Sequence, residues 1–328
     1  MMQTPFKNYQ LEIITPVHIG NDQQLAPLMF DHQGDFVHMY AMDDVAKNID
    51  NPRNLLDIKH GKITLRSVLS PSVIRQLNPI KKIHYWGEEG VNISSQEIEL
   101  LVEEKQENFI PGSSIKGSIV HAMEFALLAQ NVTNHNSSKE AYDIVDTFKN
   151  SFVVPDLYFD SFETAIQRGT RISTASGKKS KGKQRQDNYK EWLMLGKTPH
   201  FNAYFRTKQF AEVLENIHMF TEQYLHYQRS YYQYIVDKMA LDNFALDFDD
   251  LQEVLKQTDR LLAINKKEEP LLILGRNTHR YSKSNELLKH DHYIKRPGKN
   301  KDHPVSRLLV FDAKDTLTIP GMVHIKKR

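Results

Sequence analysis

Short β-forming segments bracket helical segments in both halves of this 328-residue chain. In the first half, residues 9–15 and the two arms of a hairpin at 27–40 predict strands, and residues 113–130 predict a helix. The second half has predicted strands at residues 201–206, 271–274, 307–311 and 322–325, with helices within about 207–264. This order predicts an α+β fold of two split βαβ domains, at 1–150 and 151–328, with the helices as an insertion in the second.

The composition excludes several classes of protein. The chain contains no cysteine, which rules out disulfides, zinc–thiolate sites, iron–sulfur clusters and a cysteine nucleophile. Apolar residues make up 40% and charged residues 26%, as in ordinary globular proteins with a real core. The N-terminus has no apolar signal segment, and no uncharged apolar run approaches the ~18 residues of a membrane span. We therefore expect a cytoplasmic protein that is neither secreted nor inserted in a membrane.

Basic residues are concentrated in two islands, although 43 basic and 41 acidic residues nearly balance over the whole chain. The first island, Arg168 to Lys190, has eight basic residues and one acid. The second island, Gly275 to Arg307, has nine basic residues and three acids. Such islands in polar, loop-like sequence concentrate positive potential where a phosphate backbone could lie. The alternative is that they are solubilising loops.

The string I-P-G-S-S-I-K-G at residues 110–117 is the sharpest local motif. Gly112 permits a close backbone turn, and Ser113 is predicted to cap the following helix. The hydroxyls of Ser113 and Ser114, the first free N–H groups of the helix and Lys116 would then form an anion site. Because Ser118 and not lysine follows the last glycine, the string is not a Walker A loop, and a nucleotide triphosphatase is not expected. The structural alternative is a capped helix start with an incidental lysine.

The string T-P-V-H-I-G at residues 15–20 closes the first predicted strand with His18 and Gly20. A histidine here could act as a general acid or base, or contact RNA, but a lone histidine at a strand end is more often a packed residue.

Other polar groups have simple structural interpretations beside functional ones. His290 and His292 lack an evident third ligand, and we predict no metal site. Asp156, next to Pro155, is interpreted as a turn or cap residue rather than part of a metal-dependent nuclease. One helix carries tyrosines that either line the core or stack on bases: Tyr224, Tyr227, Tyr231, Tyr232 and Tyr234.

The strings T-P-V-H-I-G and I-P-G-S-S-I-K-G, in this order, resemble the RAMP superfamily of CRISPR ribonucleoproteins. Two further strings resemble the fifth-subunit family of type III-A Csm complexes: F-V-V-P-D-L-Y-F-D at 152–160 and L-I-L-G-R-N-T-H-R-Y-S-K at 272–283. There are departures from that family. Val120 stands where it often has arginine, and Gly275 is the single glycine of a late loop that usually has more.

The resemblance implies two ferredoxin-like (RRM-like) domains and a non-catalytic subunit that binds crRNA near its 3′ end and supports crRNA maturation and antiviral defence. Its implied partners are crRNA, target RNA, a neighbouring Csm backbone subunit and, as an additional candidate, a recruited trimming nuclease; no cofactor is implied. The residues expected to contact RNA are His18, Gly20, Gly112, Ser113, Ser114, Lys116, Lys178, Lys179, Lys181, Lys183, Arg276, Arg280 and Lys283.

The sequence also excludes one mode of RNA binding and leaves two alternative functions open. The aromatic RNP motif of an RRM is missing, so base stacking on a sheet face is not expected. One alternative function is a metal-independent endoribonuclease of the superfamily that uses His18 or another histidine as acid and base. Another is a repeated backbone subunit of the same filament.

Overall fold

The computed structural model describes residues 4–49, 63–87, 90–104, 107–131, 146, 149–150, 152–158, 164–172, 188–194, 196–205, 210–239, 248–275, 307–311 and 316–327. Within these residues the fold is mixed α+β. The strands are β1 (Thr4–Ile13), β2 (Gly20–Leu25), β3 (Phe30–Gln33), β4 (Phe36–Met39), β5 (Lys81–Tyr85), β6 (Ile98–Leu101), β7 (Glu103–Glu104), β8 (Glu107–Ile110), β9 (Phe152–Val153), β10 (Leu157–Tyr158), β11 (Thr164–Ile172), β12 (Asn188–Leu193), β13 (Gly196–Phe205), β14 (Leu271–Ile273), β15 (Arg307–Phe311), β16 (Leu317–Thr318) and β17 (Met322–Lys327).

The α-helices among the described residues are α1 (Met42–Lys47), α2 (Leu65–Val68), α3 (Pro71–Ile74), α4 (Gly112–Asn131), α5 (Phe210–Met239) and α6 (Phe248–Ile264). The sequence-predicted helix at 113–130 corresponds to α4. Its predicted apolar face is buried, which confirms the helical periodicity: Ile115, Ile119, Ala122, Met123 and Ala126. Of the described helices, none is long and apolar enough to cross a membrane.

The first large sheet has the strand order β14-β17-β1-β13-β9. Its middle strand, β1, pairs antiparallel with β13 and β17, which both come from the second half of the chain. Leu11 and Ile13 of β1 are at most 1% exposed, in the same cluster as apolar residues of α4, α5 and α6. This sheet therefore forms the main core together with the three long helices.

The second large sheet has the order β2-β6-β12-β11-β5-β4-β3, and β15 also pairs with β11. The pairs β11–β5 and β12–β6 are parallel. The predicted hairpin at 27–40 is confirmed as β3 and β4, whose turn needs Gly34 because its φ is +58°. A smaller sheet, β10-β8-β7, leads into α4.

Strand pairing does not separate residues 1–150 from residues 151–328. Both large sheets combine strands from the two sides of that predicted boundary. The reason is physical: hydrophobic periodicity reports which segments are strands, whereas the pairing of distant strands depends on long-range contacts that periodicity does not encode.

The helices predicted within 207–264 are present as α5 and α6, and they pack into the main core. Val213, Ile217 and Tyr224 of α5 are at most 1% exposed and belong to the same core as β1. Helix α5 contacts both α4 and α6. Its amphipathic face is thus part of the layer that covers the first sheet.

Candidate nucleic-acid interface

Three segments that carry the sequence motifs meet at one place in the fold. Gly275, which follows β14, has φ +99°, and a Cβ atom there would lie 2.6 Å from the backbone oxygen of His18. The Ser118 hydroxyl on α4 donates a hydrogen bond of 2.5 Å to the Ile273 carbonyl. The T-P-V-H-I-G string, the helix of the P-G-S-S string and the start of the late loop therefore touch, although they are far apart in sequence.

The N-terminus of α4 is capped by a carboxylate from elsewhere in the chain. Asp156, between β9 and β10, accepts a hydrogen bond of 2.6 Å from the Gly112 N–H. The Ser114 N–H donates to the Pro111 carbonyl at 2.9 Å, so the helix begins before Ser113. The prediction that Ser113 is the N-cap is wrong, and the interpretation of Asp156 as a cap residue is confirmed.

Gly112 is required by close packing. A Cβ atom there would lie 2.0 Å from the Val154 carbonyl oxygen, so no other residue fits without moving the backbone. This contact brings the β9–β10 segment against the helix start and positions Asp156. Since that carboxylate already lies at the positive end of the helix dipole, an external anion would be held mainly by the neighbouring side chains.

Those neighbouring side chains are Ser113, Ser114 and Lys116. Ser113 is exposed and Ser114 half-buried. The Lys116 Nζ donates to the Phe152 carbonyl at 3.2 Å and lies 5.2 Å from the centre of the Phe152 ring. The ammonium is therefore held in one position, as a cation over an aromatic face. Contact of these residues with RNA stays a prediction.

His18 is buried, with only 2% of its surface exposed. Its Nδ1 donates to the Glu191 carbonyl at 2.8 Å, and its Nε2 lies 3.5 Å from the Glu99 carboxylate. A Cβ atom at residue 20 would lie 2.7 Å from His18 Nε2, so Gly20 leaves room for the ring. The arrangement favours the packed-residue interpretation of this histidine.

Two charged residues of β12 are buried, which was not predicted from the sequence. Glu191 is fully buried, lies 3.0 Å from Lys81 Nζ and accepts a hydrogen bond from the Leu101 N–H. Lys190 is 4% exposed and pairs with Glu99. Charged residues inside an otherwise apolar strand are the signal that could have identified them. Lys190 belongs to the first basic island, but it is buried and paired with Glu99, so it is not available to bind phosphate.

The buried charges shift two pKa values. The pKa of Glu99 falls from 4.5 to about 2, because His18 and then Lys190 stabilise its carboxylate more than burial disfavours it. Burial alone would lower the pKa of Lys81, but pairing with Glu191 and Glu103 raises it overall. Glu99 and Lys81 are therefore charged near neutral pH, and their ion pairs join β5, β6 and β12.

The remaining predicted RNA-contacting residues lie outside the described residues: Lys178, Lys179, Lys181, Lys183, Arg276, Arg280 and Lys283. The histidines of the 290–292 segment lie outside them too. Strands β11 and β12 flank the chain that carries the first island, and β14 and β15 flank the chain that carries the second. Within the part of the chain that is described, no group of three His, Asp or Glu residues could hold a metal ion.

The tyrosines of α5 are mostly core residues. Four of the five are at most 9% exposed, and one, Tyr234, is 39% exposed. Base stacking is therefore wrong for the buried four: Tyr224, Tyr227, Tyr231 and Tyr232.

A family model of the RAMP superfamily matches residues 10–264, which is most of the chain. The chain therefore belongs to the RAMP superfamily, as its motifs predicted. Its fold is similar to that of a chain in the Csm–crRNA–target RNA ternary complex of a type III-A CRISPR–Cas system, with a TM-score of 0.65 and 14% identity over 99% of this chain and 100% of that one. It is also similar to Csm5 of T. onnurineus, with a TM-score of 0.60 and 14% identity over 96% and 99% of the two chains. No curated protein sequence matches the chain significantly.

Proposed function

We propose that this chain is a non-catalytic RNA-binding subunit of a type III-A Csm effector complex, which binds crRNA near its 3′ end and supports crRNA maturation and antiviral defence. The observation that carries the proposal is the meeting of the three motif segments at His18, Ser118 and Gly275. The structural similarity to Csm subunits over nearly the whole chain supports the same assignment.

The charge distribution near this meeting point suits a phosphate backbone. Lys116 is held beside the start of α4, with the Ser113 and Ser114 hydroxyls next to it in sequence. The second basic island begins at Gly275, directly against the backbone of His18. A strand of RNA crossing here would meet a fixed ammonium group and the start of a basic segment, which provide affinity with little dependence on sequence.

The surroundings of His18 support a role without catalysis. A general acid or base must lie within hydrogen-bond reach of a substrate proton. Here Nδ1 is engaged by a backbone carbonyl, and Nε2 lies among Glu99, Gly20 and buried strands. We therefore assign the ring a structural role: its hydrogen bond to the Glu191 carbonyl joins the T-P-V-H-I-G segment to β12.

The proposed assembly also gives the chain its partners. These are crRNA, target RNA and a neighbouring Csm backbone subunit, with a trimming nuclease as a recruited partner, in the cytoplasm. The two large sheets support the interpretation of two ferredoxin-like units whose strands interleave along the sequence.

A charge reversal at Lys116 tests the proposal. Lys116→Glu should weaken binding of the purified chain to single-stranded RNA by about 1–3 kcal/mol, because it removes an attraction and adds a repulsion. The matched control is Lys256→Glu on α6, where the lysine is well exposed and lies on the helical layer. Equal affinity of the two variants would contradict the site.

Incubation with labelled repeat RNA tests the absence of catalysis. We expect no site-specific cleavage with or without divalent metal. Cleavage that disappears in His18→Ala, in a variant that still melts cooperatively, would instead establish the endoribonuclease alternative.

A further inference from the structure

An open strip of aromatic and basic side chains lies on one face of the second large sheet, on strands β4 and β5. Phe36 is 36% exposed, and Lys82 and His84 are exposed as well. His38 lies beside them and is half-buried. The sequence analysis assigned no role to these residues, and none of the motif segments described above contains them.

The strand register places the four side chains of the strip on the same face. Phe36 lies directly opposite His84, and His38 lies opposite Lys82. Opposite residues share a face of a sheet, and so do residues two apart along one strand. The centre of the Phe36 ring lies 4.5 Å from that of His84 and 6.5 Å from that of His38. Three rings are therefore gathered on one exposed patch.

Packed side chains hold the strip at both ends. Tyr40, two residues after His38, is 2% exposed in an apolar cluster with α1, α2 and α3. Trp86, two residues after His84, is half-buried against a second cluster that includes Trp192. Because β4 and β5 are antiparallel, these two anchors lie at opposite ends of the strip. The exposed rings therefore stand on a surface that is fixed by the core.

Lys82 gives the strip a positive charge. Among the residues that the structure describes, no carboxylate forms an ion pair with Lys82. Burial, and after it the charge of Lys82, lowers the pKa of His38 below its usual value of 6.5. The His38 ring is therefore uncharged at neutral pH. The strip thus combines flat rings with one ammonium group that is open to a ligand.

The acidic residues near the strip leave this charge in place. Asp31 of β3 is on the same face, but it is 2% exposed and accepts two hydrogen bonds from the Arg66 guanidinium group. Its charge is therefore neutralised by a bidentate partner. Asp35 precedes Phe36 in the hairpin turn, and its charge acts on His32, which lies opposite the buried Val37 and thus on the other face.

This combination suits an unpaired base with its phosphate. Aromatic and histidine rings are the groups on which proteins stack the splayed bases of single-stranded RNA. A lysine beside the rings attracts the phosphate that accompanies the base. An apolar protein segment would use the rings but would leave the ammonium group without a partner, so the charge favours RNA as the occupant.

A second exposed aromatic pair in the fold has the opposite surroundings. Tyr158 of β10 is 37% exposed, and its ring stacks on Phe109 of β8 at 5.1 Å and an interplanar angle of 22°. Glu107 shares a strand face with Phe109, and Asp156 lies two residues before Tyr158. This pair is as exposed as Phe36, but its neighbours would repel phosphate. It therefore separates the effect of an exposed ring from that of a ring beside a cation.

We propose that the strip formed by Phe36, His38, Lys82 and His84 stacks one unpaired nucleobase of an RNA strand. The inference rests on the proposed function, because it requires that the chain bind RNA. It adds a base-stacking surface at a place that none of the motif segments includes. It also departs from the expectation that no base stacks on a sheet face, which depended on the missing RNP motif, because these rings come from two strands that do not form that motif.

A thermodynamic cycle between a side chain and a base tests the inference. The full purified chain is titrated with a labelled oligouridylate and with an abasic ribose-phosphate strand of equal length. Phe36→Leu should weaken binding of the oligouridylate about fivefold or more, because it removes a ring on which a base stacks. Binding of the abasic strand, which has phosphates and no bases, should not change.

Two further variants serve as controls. Phe36→Tyr keeps the ring and should bind the oligouridylate like the wild-type chain. Tyr158→Leu removes an equally exposed ring from the acidic surroundings and should leave binding of both strands unchanged. Thermal melting of each variant shows whether a loss of affinity comes from unfolding.

Each outcome decides the question. If the wild-type chain binds the oligouridylate and Phe36→Leu binds it equally well, or weakens both strands equally, the stacking surface is wrong while RNA binding stands. A loss in Phe36→Tyr as large as that in Phe36→Leu would also overturn it. If the wild-type chain binds neither strand, the proposed function and the stacking surface are both overturned. If Phe36→Leu weakens only the oligouridylate and Lys116→Glu changes nothing, the stacking surface stands and the Lys116 site is wrong.

Discussion

Replacement of Asp156 tests whether the start of α4 is held from across the chain. Its carboxylate accepts a 2.6 Å hydrogen bond from the Gly112 N–H. Loss of a capping side chain costs about 0.5–2 kcal/mol, and loss of a negative charge at a helix N-terminus costs about 0.3–1 kcal/mol. Because Asp156 is exposed and partly screened by solvent, we expect Asp156→Ala to destabilise the fold by about 1–2 kcal/mol.

Two companion variants separate the contributions. Asp156→Asn keeps an acceptor oxygen but loses the charge, so it should cost about 0.3–1 kcal/mol. Ser113→Ala should change stability by less than about 0.5 kcal/mol, because Ser113 is an exposed residue inside the first turn. Urea unfolding followed by far-UV circular dichroism measures all three. A larger loss in Ser113→Ala than in Asp156→Ala would refute the cross-chain cap.

Three further predictions concern other parts of the fold. Gly275→Ala should destabilise by about 2 kcal/mol or more in urea unfolding, because φ is +99° and a Cβ would meet a carbonyl oxygen at 2.6 Å. Gly117→Ala, a helical glycine with open space around it, should instead stabilise by up to about 1 kcal/mol, and the opposite order would contradict the packing at Gly275. The depressed pKa of Glu99, about 2, should contribute about 1–3 kcal/mol of stability above pH 4.5 that is lost as pH falls towards 2. Glu99→Gln should lack this loss in acid unfolding curves, and identical curves for the two proteins would contradict the ion pair. Neutralising Arg276 and Arg280 together should flatten the slope of log affinity against log salt by about 1.4 if both contact phosphate, and an unchanged slope would remove the late loop from the RNA path.

Local features of the fold were predictable from the sequence because their physical cause is local. The buried face of α4 follows from apolar spacing, and the hairpin of β3 and β4 follows from a turn that needs a glycine at residue 34. The RAMP motifs also predicted the family correctly.

Features that depend on distant contacts were not predictable. Asp156 lies 44 positions after Gly112 in the sequence and meets the start of α4 only in the folded chain. A rule based on neighbouring residues therefore assigned the cap to the nearest serine. Lys190 looked like part of a basic surface because its partner, Glu99, lies on a strand that joins it only in the folded sheet.

Crosslinking of crRNA within an assembled complex tests the central claim most directly. The chain is co-expressed with type III-A partner subunits and a CRISPR array, and the purified complex carries crRNA with a photoreactive nucleotide near its 3′ end. We predict that irradiation crosslinks this end to the present chain, in peptides that contain Lys116 or residues 275–283, and that the crRNA stays uncut by the chain alone. Crosslinks found only on other subunits, with this chain present in the complex, would contradict the account.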